Sequence, residues 1–145
     1  MTRKEFLRQY LRAKRQFDNA VRDLEECRSR YEGIRAIVYS DMPKAHDTEH
    51  DLSEIFAKME KETAKCAATC RAALSVMAKV ERAIESVKDD TEKQLLRLRY
   101  IHGMTWQTIA DTMGYTERWV HILHGRALEN VKLSIERGKD GKKYG

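Results

Sequence analysis

The sequence is poor in residues that break helices: among its 145 residues are one proline, Pro43, and seven glycines. It has three cysteines, Cys27, Cys66 and Cys70, an odd number that does not suit a small secreted disulfide scaffold. No run of about 18 apolar residues is present, so no transmembrane helix and no membrane partner are expected. The start, Met1-Thr2-Arg3-Lys4-Glu5, does not lead into the apolar core of a signal peptide. These absences together predict an intracellular protein with reduced thiols. Also missing are a P-loop, a Rossmann glycine pattern, a zinc-protease motif and a nucleophile elbow. No enzymatic activity and no cofactor are expected.

What fills the chain instead is Lys, Arg, Glu, Ala and Leu, the composition of a mostly helical protein. Charged residues make up 35% of the sequence, too many for a large core, so burial is expected along narrow seams between long helices. The net charge is +5, and it is unevenly spread. Residues 1–15 hold six bases (Arg3, Lys4, Arg8, Arg12, Lys14 and Arg15) against one acid, Glu5. Residues 41–90 hold eight bases against eleven acids, and residues 91–145 ten against six. Two basic ends around a mildly acidic middle suit a polyanionic partner, although a solvated helix surface has the same composition.

Steps of four and three residues from Phe6 meet Tyr10, Ala13, Phe17, Ala20, Leu24, Cys27, Tyr31, Ile34 and Val38, all apolar or aromatic. The same walk from Leu52 meets Phe56, Met59, Thr63, Cys66, Cys70, Ala73, Met77, Val80, Ile84 and Val87, where Thr63 alone is polar. Two heptad seams of matched length flank one break, Ser40-Asp41-Met42-Pro43, followed by the polar run Lys44 to Asp51. The pattern predicts two helices of roughly 50 Å, at about 1.5 Å per residue, folded back as an antiparallel hairpin over residues 1–88. A homodimer through this hairpin would complete a core that one thin pair leaves open. Cys27, Cys66 and Cys70 invite a zinc reading, but all three occupy seam positions, where cysteine acts as a small apolar group. His46 and His50, among loop acids, lack a rigid frame. No metal is expected.

A new pattern starts near Asp89. Asp89 or Asp90 caps a helix through Ile101, with Glu92 in its first turn and Gly103 as its stop. Thr105 caps a short helix, Trp106 to Met113, which Gly114 ends. Thr116 caps a longer one reaching about Glu136. Three helices with short connections, a small Ala110 at the point of closest approach and apolar Ile109, Met113, Val120 and Leu123 spell a helix-turn-helix over residues 89–136. A flexible basic tail, 137–145, follows. The fold expected is therefore all-α, a coiled-coil-like hairpin leading into a three-helix DNA-binding domain.

Three segments, Leu95-Leu96-Arg97-Leu98-Arg99-Tyr100, Thr105-Trp106-Gln107-Thr108-Ile109-Ala110 and Met113-Gly114-Tyr115-Thr116-Glu117-Arg118, make this stretch resemble region four of bacterial sigma factors. Arg99-Tyr100-Ile101-His102-Gly103 with His124-Gly125-Arg126-Ala127-Leu128 looks like the sigma-like regulators of phages and prophages, the ArpU- and RinA-type activators of late genes. The resemblance spans about 45 residues and leaves the two long helices uncovered. It implies that the helix from Thr116 enters the major groove of double-stranded DNA, with Glu117, Arg118, His121 and Ile122 at or near bases and Arg126 further along. It also implies that Thr105 and Gln107 touch the phosphate backbone. Sigma factors favour more basic and polar residues where Trp119, His121 and Ile122 stand here. His124, one turn from Val120, reads as a packed histidine.

The reading is a phage or prophage transcriptional regulator in the bacterial cytoplasm, associated with the nucleoid, with RNA polymerase as a second partner. The alternatives are a DNA-packaging protein akin to small terminase subunits and a coiled-coil adaptor that binds only protein. An antiparallel hairpin also carries the basic cluster of residues 1–15 back to the DNA-binding end, where it would meet flanking phosphates or an acidic face of polymerase.

Overall fold

A computed structural model of the protein describes the backbone of residues 1–41 and 46–133 and the side chains of residues 1–37 and 52–133. The break at Met42-Pro43, the side chains of His46 and His50, residues 134–136 and the basic tail lie outside the described residues. Among the described residues the protein is all helical: α1 (Arg3–Asp41), α2 (His46–Glu85), α3 (Asp90–Leu96) with a π-helical turn (Arg97–Ile101), α4 (Trp106–Met113) and α5 (Glu117–Asn130). Two boundaries differ from the sequence reading. The polar run Lys44–Asp51 is already helical from His46, because after Pro43 it contains neither proline nor glycine to break a helix. The last helix ends at Asn130 rather than near Glu136, since Val131 turns to extended backbone and buries its side chain.

The long helices pair along the seams read from the sequence. In the unit formed by residues 15–74, Ala20, Cys27, Met59 and Ala73 are buried. The Tyr31 and Phe56 rings meet edge to face, with centroids 5.4 Å apart. The Cys27 thiol points at Glu62, 3.7 Å from its carboxylate, and burial followed by that carboxylate raises the thiol pKa. Cys66 and Cys70 are half-buried free thiols. Among the described residues no group of three His, Cys, Asp or Glu side chains converges in an arrangement that would hold a metal ion.

The second unit gathers residues 1–14 with 75–145. Phe6, Leu7 and Tyr10 of α1 share one core with Val80, Ala83, Ile84 and Val87 and with Leu96, Tyr100, Ala127 and Val131. Leu7 lies off the heptad seam yet is fully buried, because it faces the helices that follow α2. The Arg3 Nε donates to the Val131 carbonyl at 3.0 Å, and the Tyr10 hydroxyl donates to Glu81 at 3.2 Å. A second cluster, Leu95, Ile109, Ala110, Val120 and Leu123, closes α3, α4 and α5 on one another.

Local chemistry sets each turn of this module. Asp89 caps α3 by accepting from the Thr91 and Glu92 amides. Buried Glu92 accepts from the Asn130 side chain at 2.7 Å, tying the start of α3 to the end of α5. Gly103 and Gly114 have φ of 67° and 72°, the left-handed conformation that other residues adopt at a cost. A Cβ at Gly103 would also stand 3.1 Å from a Leu11 methyl, whereas one at Gly114 would meet open space. Replacement of Gly114 by Ala should therefore cost about 1–2 kcal/mol of backbone strain. Gly103→Ala should cost more, because Leu11 must also move. Urea unfolding of the two variants checks the order.

Tyr100 and His124 form a buried polar pair in this unit. The Tyr100 hydroxyl and His124 Nε2 share a 2.7 Å hydrogen bond. Burial above all, with Lys4, Arg99, His121 and Arg8 adding positive charge, holds the imidazole pKa down at about 4. Above the ordinary value near 6.5 the ring is neutral in folded and unfolded chains alike. As pH falls from there toward 4, the unfolded chain takes up a proton that the folded chain refuses, so stability is lost over that window. The loss should reach about 1–2 kcal/mol between pH 7 and pH 5, with some screening by nearby water. His124→Gln keeps a hydrogen-bonding side chain without a titration, and its pH 7 to pH 5 difference should be smaller by that amount.

Candidate nucleic-acid interface

A helix-turn-helix needs a first helix that fixes the angle of a second, and a second whose outer face is free. Both are present. Thr105 caps α4 by accepting from the Thr108 amide at 3.2 Å, and its hydroxyl lies 2.8 Å from that of Thr108. Thr116 caps α5 by accepting from the Trp119 amide at 3.2 Å. Between them Gly114 reverses the chain, and its amide donates to the Ala110 carbonyl. Ala110 is small and buried in the cluster that joins α4 to α5, with fully buried Ile109 and Val120.

The buried line of α5 runs through Val120, Leu123, His124 and Ala127. At 100° per residue Arg118 and Ile122 fall on the opposite side, and both are exposed. Glu117 is exposed in the first turn. Arg126 lies two turns along, its guanidinium 5.5 Å from the centre of the Trp119 ring. Trp119 and Ile122 are large side chains left 38% and 42% open to solvent, which gives α5 an apolar as well as a basic outer surface.

His121 is exposed but not free. Its ring lies 4.7 Å from that of Trp106, which is also 4.7 Å from His124. The Arg99 guanidinium sits 4.3 Å from the centre of the Trp106 indole and donates to the Met104 carbonyl at 2.8 Å. Trp106 therefore links the start of α4, where Thr105 and exposed Gln107 stand, to His121 on α5. Of the eight site residues read from the sequence, Thr105, Gln107, Glu117, Arg118, His121 and Ile122 lie along the start of α4 and the first turns of α5. Thr116 spends its hydroxyl on the cap, and Arg126 belongs to the Trp119 flank.

Arg99 and Trp119 were not among the candidates read from the sequence. Arg99 reaches Trp106 because the π turn, with the His102 amide donating to Arg97 and the Met104 amide to Leu98, adds a residue to the end of the first helix. No spacing in the sequence signals that extra residue. Trp119 stands on the outer face where the sequence reading put it, as a departure from sigma factors, and it is 38% exposed beside Arg126.

Residues 89–133 match the family described as Sigma-70, region 4. Over 54 residues the chain is 35% identical to RNA polymerase sigma factor SigO of Bacillus subtilis (strain 168). That stretch is 37% of this chain and 31% of SigO, so the chain matches about a third of its relative's length. No solved structure gives a significant match. Sigma-70 region 4 is a DNA-binding helix-turn-helix element, and the residues that match it here are those of α3, the π turn, α4 and α5, which have a helix-turn-helix arrangement.

Proposed function

We propose that the protein is a sequence-specific transcriptional regulator that reads promoter or operator DNA through α5. The observation that carries this is the capped, glycine-turned α4–α5 pair, which leaves Arg118 and Ile122 on the open side of the second helix. Arg118 in the first turn suits a guanine edge, Glu117 an amino group of cytosine and Ile122 a thymine methyl. Thr105 and Gln107 stand where the first helix of such a pair meets phosphates. The relative is named as an RNA polymerase sigma factor, and by extension this chain works next to polymerase in a bacterial cell, at the nucleoid. The sigma-like late-gene activators of phages and prophages are the family whose role fits best.

The seam of the long helices supports a homodimer. Within residues 15–74, Ile55 and Leu74 remain exposed and Phe17, Leu24 and Phe56 are only half-buried, more apolar surface than one thin pair needs to show. Light scattering of the purified chain reads this directly, with a monomer at micromolar concentration as the contrary result.

The direct test of DNA reading is selection of bound duplexes from a random pool, followed by footprinting of the winner. A single enriched motif is expected, and its absence at low and moderate salt would remove the reading. On the selected site, Arg118→Ala should weaken binding by about 1–3 kcal/mol and erase the preference at one base pair. Unchanged discrimination between selected and scrambled duplexes would take Arg118 out of the reading set.

A further inference from the structure

We propose that the first turns of α1 extend the DNA-binding surface of the module, with Lys4 and Arg8 contacting backbone phosphates beside the site that α5 reads. This rests on the DNA-binding reading above but concerns residues outside the matched region, 89–133.

The argument begins with packing. Phe6, Leu7 and Tyr10 are buried against Tyr100 and Ala127, and a Leu11 methyl closes on Gly103 in the turn before α4. Arg3 is tied to the Val131 carbonyl. The first three turns of α1 are therefore packed into the same core as the module's helices. Arg3 is used up in that attachment, and Lys4 and Arg8, one turn apart on an exposed stripe, are not.

Electrostatics place that stripe. The positive charges acting on His124 come from Lys4, Arg99, His121 and Arg8, in that order. Arg8 and Arg99 both act on Tyr100, which stacks on His124 with ring centroids 5.8 Å apart. His124 touches Trp106, and Trp106 carries Arg99 on its face and His121 at its side. Lys4 and Arg8 of α1 thus lie near enough to His124 to act on it together with Arg99 and His121, and the His124 ring in turn meets the Trp106 indole that opens α4. Glu5 is the one acid on this part of α1; Arg8 acts on it, but its carboxylate is held by the Thr2 amide. Among the described residues none of Lys4, Arg8 and Arg99 forms an ion pair with an acid. Concentrated, unneutralised positive charge repels itself unless an anion covers it, and a run of phosphates spaced along a duplex is the polyanion for which the neighbouring helices are shaped.

The test compares the wild-type chain with K4Q/R8Q, with the charge-conserving K4R/R8K and with K58Q/K61Q, which makes the same charge change on α2. Anisotropy titrations use the selected duplex with flanking sequence and a scrambled duplex of equal length, over a range of salt. Melting curves confirm that each variant is folded. Each phosphate contact contributes about 0.9 to the slope of log affinity against log salt, so K4Q/R8Q should flatten the slope by about 1.8. It should weaken selected and scrambled duplexes by the same factor. K4R/R8K and K58Q/K61Q should keep the wild-type slope. A wild-type slope for K4Q/R8Q, with specific binding intact, would overturn the proposal. So would a loss confined to binding of purified RNA polymerase core, which would assign the stripe to a protein partner. If the wild-type chain binds no duplex, the DNA reading itself fails, an outcome seen before any variant is compared.

Discussion

The contact on which the rest of the structure depends is that of Leu7, Phe6 and Tyr10 with Tyr100, Ala127 and Val131. A three-helix module of the size of residues 89–133 has too little interior to cover both faces of its helices. One apolar cluster, around Ile109 and Val120, closes α4 on α5. The other side of α3 and α5 is left with Leu96, Tyr100, Ala127 and Val131 and needs an outside partner. The end of α2 and the start of α1 supply it. Burying side chains such as Leu7 and Ile84 fully is worth roughly 1.5–3 kcal/mol each, a large fraction of the roughly 5–15 kcal/mol by which domains are stable.

That arrangement explains what was and was not legible in the sequence. The seams, the caps Asp89, Thr105 and Thr116 and the turn glycines follow from local rules, because heptad spacing and capping involve neighbours a few residues apart. The packed character of His124 was legible too, from its place one turn beyond Val120. Leu7 was not, because it is out of step with the seam and is buried by helices some ninety or more residues further on. The end of α5 was misjudged because Val131 continues an apolar pattern while leaving the helix, and its burial against α1 is a tertiary effect. Of the candidate interface, the positions at the two helix starts were legible. The tilted contact of His121 with Trp106 was hidden because it joins two helices, and the reach of Arg99 was hidden by the π turn.

The surface of α5 is only partly basic. Its open side combines one arginine with an isoleucine, and a tryptophan backed by Arg126 lies on the flank. Apolar groups discriminate through the thymine methyl and through shape, and they add little to non-specific attraction. Such a helix leaves most of the charge-dependent affinity to be supplied from elsewhere on the molecule. Under the proposed function, sequence discrimination would rest on α5 and electrostatic attraction on the cations around Trp106 and in the first turns of α1.

The hydrogen bond from Arg3 to the Val131 carbonyl joins residues 128 positions apart. On the ribosome the amino-terminal segment emerges first, yet its partners are among the last of the described residues to be made. Contacts of such separation close late, after the ordering cost of the intervening chain has been met. The core that supports α5 therefore stays open through most of synthesis, with Leu7 and Tyr10 waiting uncovered on a helix already formed. A chain truncated before Ala127 would present that waiting apolar surface to chaperones and proteases rather than a folded module.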